Sequence, residues 1–81
     1  MRMADLDRKC SLKSLSLFLT PPEAEQFIEE LTSLLEHPEE QKHFHIYSAD
    51  NTREIICSVI TEKKLHNLGQ YNKLEQQVLS E

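Results

Sequence analysis

The sequence predicts an α+β fold, a small β-α-β-β-α domain in which an antiparallel hairpin belongs to a three-stranded sheet and two helices cover one face. Three observations carry that prediction. Between Thr20 and Pro38 apolar residues recur at helical spacing behind a helix-start motif. His43–Ser48 and Arg53–Thr61 alternate like strands around a short polar loop. The C-terminal stretch returns to helical spacing. With 81 residues the chain has room for one small domain. The reading is therefore a flexible terminus over residues 1–10 and a single α+β domain over 11–81.

Met1–Lys9 is rich in charge and lacks periodicity, which reads as a frayed start. From Ser11 to Leu19 the pattern becomes strand-like, with Leu15, Leu17 and Leu19 on one face and Ser14, Ser16 and Phe18 on the other. The first helix opens at Thr20-Pro21-Pro22-Glu23. Thr20 can accept a hydrogen bond from the Glu23 amide while the Glu23 carboxylate reaches back. Proline is tolerated in the first turn because those amides have no intrahelical partners. Ala24, Phe27, Ile28, Leu31, Leu34 and Leu35 then form one apolar stripe, and Pro38 stops the helix after His37.

Phe44 and Ile46 share one face of the next strand, with His43, His45 and Tyr47 on the other. Ala49-Asp50-Asn51-Thr52 supplies turn formers. In the following strand Ile55, Cys57 and Val59 alternate with Ile56 and Ile60, so both faces are apolar and the strand reads as central or doubly covered. Leu65, Leu68, Tyr71, Leu74 and Val78 give a second helix over 62–79, in which Gly69 is a candidate break.

Composition excludes several functions. At 38% hydrophobic and 28% charged the chain is of globular type. Its net charge of −5 argues against nucleic acid, whose phosphates need cations. No apolar run reaches membrane-spanning length and the start has no secretory pattern, which points to the cytoplasm. Two cysteines do not make a disulfide framework, and Cys10 and Cys57 read as reduced thiols. A single glycine rules out a glycine-rich phosphate loop.

The chemistry-bearing residues are few. His43 and His45, at i and i+2 on a strand, point the same way, as two metal ligands would. A zinc site needs three or four ligands, and the neighbourhood completes no such set, so the two imidazoles read as a half-exposed face hydrogen-bonded across to the 53–58 strand. A metal-dependent role stays a third reading, with no metal or cofactor assigned. Cys57 sits among apolar neighbours that raise a thiol pKa, which suits a core thiol rather than a nucleophile. No carboxylate pair is placed for acid–base work, so no catalytic residue is assigned and the chain is read as a non-enzyme.

Charge placement says more. No base occurs between Lys13 and Lys42, whereas Glu23, Glu25, Glu29, Glu30, Glu36, Glu39 and Glu40 supply seven acids. Glu25, Glu29 and Glu36 fall opposite the Phe27–Ile28–Leu31 stripe and so face outward. Such a field steers a basic protein partner. Glu25, Glu29, Glu36, His43, His45 and Tyr47 are therefore the candidate partner-binding residues. The alternative is a homodimeric structural or regulatory domain with Ile56 and Ile60 in its interface.

The segment Leu17-Phe18-Leu19-Thr20-Pro21-Pro22-Glu23-Ala24, the strand His43-Phe44-His45-Ile46 and the strand Arg53-Glu54-Ile55 resemble the small immunity proteins of bacterial polymorphic-toxin systems, in particular the family numbered 32. The likeness spans residues 15–61. It implies a protein that binds and neutralises a toxin domain without catalysis of its own, and an acidic surface suits the basic nucleases found among such toxins.

Overall fold

The computed structural model describes all residues, Met1–Glu81. It is an α+β structure with three α-helices and two separate two-stranded antiparallel sheets. The chain divides into two compact units, one of residues 18–61 and one of residues 1–17 and 62–81. Each unit pairs a hairpin with a helix.

In the 18–61 unit the helix α1 spans Pro21–Glu36. Its start is the predicted one. Thr20 Oγ1 accepts from the Glu23 amide at 3.4 Å, and the Glu23 carboxylate accepts from the Thr20 amide at 2.9 Å. Those bonds stabilise the Glu23 carboxylate and hold its pKa below the ordinary value. The helix ends at the His37 cap, directly before Pro38.

The strands β3 (Phe44–Tyr47) and β4 (Glu54–Cys57) pair antiparallel with Phe44 opposite Cys57 and Tyr47 opposite Glu54. Asp50 shapes their connection. Its Oδ1 accepts from Ser48 Oγ (2.6 Å), Thr52 Oγ1 (2.7 Å) and the Thr52 amide (3.0 Å). Asn51 adopts the left-handed region that asparagine tolerates, with φ 58°. Leu34 is fully buried against Phe44 and Ile46, and Phe27, Ile55, Cys57 and Val59 close the cluster. Phe27 meets Phe44 edge to face with centroids 5.6 Å apart.

In the other unit, β1 (Met3–Asp5) and β2 (Cys10–Leu12) form a hairpin where the sequence suggests a flexible start. Asp5 Oδ1 holds its turn by accepting from the Asp7 and Arg8 amides, each at 3.0 Å. The expected helix over 62–79 is three pieces: α2 (Glu62–Leu65), a 3-10 turn (Leu68–Gln70) and α3 (Lys73–Leu79). Gly69 lies in the 3-10 turn. A fresh capping box, Asn72 with Glu75, restarts the helix and fixes the break. α3 packs on β1 and β2, and Tyr71 and Val78 are buried.

The three-stranded sheet roofed by two helices is not what forms. The strand expected over Ser11–Leu19 reduces to Cys10–Leu12, which pairs with β1 rather than with the second hairpin. Residues 14–19 join no sheet. The loss of that strand accounts for a second departure. Two strands span about 10 Å, too narrow to cover the whole apolar arc of α1. Phe27 and Leu34 face the hairpin, but Ile28 is 65% exposed, Leu31 36% and Leu35 67%. The predicted core stripe is thus half core and half surface. Finally, β4 ends at Cys57, so Ile60 lies beyond the strand on which its interface role was drawn.

Candidate functional site

The outward side of α1 is where the sequence placed its acids. Helical spacing sets Glu25, Glu29 and Glu36 away from Leu34, and all three are exposed. None of them makes an ion pair within the chain: the ion-pair contacts join Arg8 to Asp5, His37 to Glu40 and His45 to Glu54. Their charge is left facing water. Other acids of the run are partly occupied, Glu23 by the helix cap and Glu40 by His37 at 3.9 Å.

Beside these glutamates runs a feature that helical periodicity alone places in the core. Ile28, Leu31 and Leu35, at i, i+3 and i+7, form an exposed apolar ridge on the same helix. Each residue was visible in the sequence. Its exposure depends on how many strands lie beneath the helix, which periodicity does not report.

The hairpin presents the second candidate surface. His45 and Tyr47 alternate with buried Phe44 and Ile46 and point outward, next to His43. The rings form a row, His43 edge to face with His45 at 4.8 Å and His45 stacked on Tyr47 at 6.0 Å. Glu54 ties the row together from the opposite strand. Its Oε2 lies 3.0 Å from His45 Nδ1, and it also takes a hydrogen bond from Tyr47. His45 and then Tyr47 stabilise the Glu54 carboxylate and lower its pKa. Reciprocally, the hydrogen bond and the negative charge of Glu54 raise that of Tyr47. Motif and charge spacing do not single out Glu54, although the hairpin register puts it on the outward face beside Tyr47.

Ile56 shares this face, opposite His45, and is exposed, whereas Ile60 is half-buried. The His43–His45 pair is brought together, but no group of three or more His, Cys, Asp or Glu side chains is placed to hold a metal ion. Both cysteines are free thiols, and burial raises the Cys57 pKa as its apolar neighbours predict. No helix is long and apolar enough to cross a membrane.

The two candidate surfaces differ in chemistry. The α1 face offers fixed negative charge with apolar contact alongside, and suits a basic, partly apolar surface. The hairpin face offers a short aromatic row in which the polar tips of His45 and Tyr47 are already engaged by Glu54. Comparison of the chain with protein-family models, with curated proteins and with solved structures returns no match.

Proposed function

We propose that the chain is a small protein-binding domain that recognises a basic protein partner through the outward face of α1, with no catalysis of its own. The observation that carries this reading is the set Glu25, Glu29 and Glu36, exposed on one face of a helix and unneutralised within the chain. Three fixed charges on a rigid helix act as an electrostatic guide for an approaching cationic surface, speeding encounter more than they tighten the final complex. The row His43, His45 and Tyr47 is a second contact surface in this reading, since aromatic rings give large contact area at low entropic cost. The resemblance to immunity proteins gives the partner a form: a basic toxin domain, neutralised by direct contact.

The test is kinetic. The wild-type chain and a variant with Glu25, Glu29 and Glu36 replaced by lysine are each mixed with the purified product of the adjacent open reading frame. Reversal should slow association by about tenfold or more at low salt, with the gap closing as salt screens the field. Equal association rates at low salt would reject the acidic-face reading. A second reading, a homodimer closed across the hairpin's outward face, is favoured by the exposure of Ile56 there.

A further inference from the structure

Three features that the proposed function leaves unused answer one another. The first is the segment Ser14–Leu19. It has strand alternation, with Leu15, Leu17 and Leu19 on one side, yet its backbone makes no hydrogen bond within the chain and its side chains are exposed, Phe18 at 91%. The second is the free edge of β3. Ser48 donates to the Arg53 carbonyl, so by antiparallel alternation the 46–55 and 44–57 pairs carry the ladder bonds to β4. The N–H and C=O groups of His45 and Tyr47 therefore point to the open edge, a ready template for another strand. The third is the ridge Ile28, Leu31 and Leu35. α1 packs on β3, and the ridge, exposed beside the Phe27–Leu34 contact, is the part of the apolar arc of α1 that two strands leave uncovered and a third strand would cover.

From this juxtaposition we propose that Ser14–Leu19 of a second copy of this chain adds as a third strand along β3, with Leu15, Leu17 and Leu19 beneath the α1 ridge, and that the exchange is reciprocal. This is strand addition to a sheet edge, in which main-chain bonds give affinity and alternate side chains give register. The segment does not serve its own helix in this way. Leu19 runs directly into the cap residue Thr20, leaving one residue for a reversal that ordinarily takes about 2–6. Charge also favours a strand over a second helix. Two α1 ridges face to face would oppose glutamates with glutamates, whereas residues 14–20 carry no charge. On the outer face of the added strand, Phe18 would lie beside the His45–Tyr47 row.

Sedimentation of the wild-type chain from low to high micromolar concentration should show a monomer of 9.5 kDa converting to a species of twice that mass. Amide hydrogen exchange should show residues 15–19, His45 and Tyr47 gaining protection as the dimer forms. Leu17→Asp places a charge on the covered side of the added strand, and Ile28→Asp with Leu35→Asp charges the ridge. Each should weaken the dimer by about 100-fold or more. These positions are exposed in the monomer, so far-ultraviolet circular dichroism at low concentration should match wild type. A chain that stays monomeric throughout overturns the proposal. So does a dimer in which residues 15–19 remain unprotected, or one abolished by Ile56→Asp with Ile60→Asp but not by Leu17→Asp.

Discussion

Replacing Leu34 by alanine tests how α1 is turned. Leu34 is the one large side chain with no exposed surface, and it sits against Phe44 and Ile46. The substitution deletes three buried carbon groups, worth about 2.4 kcal/mol of transfer free energy at ~0.8 kcal/mol each. A partly collapsed cavity adds to this, bringing the loss to about 3–4 kcal/mol. A chain of 81 residues has a total stability of about 4–12 kcal/mol, so the variant should be close to unfolding. Ile28→Ala, six residues before Leu34, and Leu35→Ala, at the next position around the helix, remove similar groups from exposed positions and should each cost less than about 0.5 kcal/mol.

Urea unfolding followed by circular dichroism, at a concentration low enough to hold the chain monomeric, reads all three variants on one scale. The contrast is the informative quantity, because helix propensity changes are nearly common to the set. A Leu34→Ala loss below about 1 kcal/mol, or a loss at Ile28 or Leu35 equal to it, would mean that the ridge and not Leu34 faces the hairpin. The assignment of surface to Ile28, Leu31 and Leu35 would then fail, and the strand-exchange proposal with it.

Two further outcomes follow from local geometry. Hydrogen bonds from Ser48 and Thr52 lower the Asp50 pKa from 3.8 to about 2. A carboxylate depressed in the folded state stabilises it above the unfolded pKa and stops doing so as pH falls through the folded value. Wild-type stability should therefore decline as pH drops from about 4 toward 2, and Asp50→Asn should remove part of that decline in urea titrations across the same range; an unaltered slope would reject the clamp. Gly69 has open space where a Cβ would project and does not adopt a positive φ. Gly69→Ala should thus raise stability by about 0.4–1 kcal/mol through the unfolded chain, and a lower unfolding midpoint would contradict the geometry.

What could be read from the sequence was local. Thr20, Pro21 and Glu23 specify the start of α1 through hydrogen bonds that need no tertiary partner. The second hairpin was equally legible, since Phe44 and Ile46 alternate with His45 and Tyr47 around a loop that Asp50 can clamp by itself. The outward placement of Glu25, Glu29 and Glu36 followed from the same helical period. The C-terminal break was also written in the sequence: Asn72 and Glu75 form a second capping box with the same spacing as Thr20 and Glu23. The Leu65-to-Val78 spacing masks it, because a break of a few residues leaves apolar positions nearly in phase.

The remainder depended on partners distant in the chain. Met3–Asp5 is three residues with no alternation to mark them, and it becomes a strand only because Cys10–Leu12 pairs with it. Leu15, Leu17 and Leu19 carry the clearer strand pattern and find no partner within the chain. A period of two specifies which side of a strand is apolar. It does not specify whose edge completes the ladder.

That distinction separates stability from association on α1. Phe27 and Leu34 anchor the helix to its hairpin, Ile28, Leu31 and Leu35 extend the apolar surface past it, and Glu25, Glu29 and Glu36 hold the charged side. A helix serving only a two-stranded hairpin gains little from Ile28 and Leu35, whose side chains are mostly in water. Apolar surface retained beside unneutralised charge is instead suited to contact between molecules. Substitutions in the first set should unfold the chain, those in the second should alter self-association at constant stability, and those in the third should alter the rate of meeting a basic partner. If one substitution on the ridge changed all three properties together, the helix would be a single packed surface and the division of labour proposed for it would not hold.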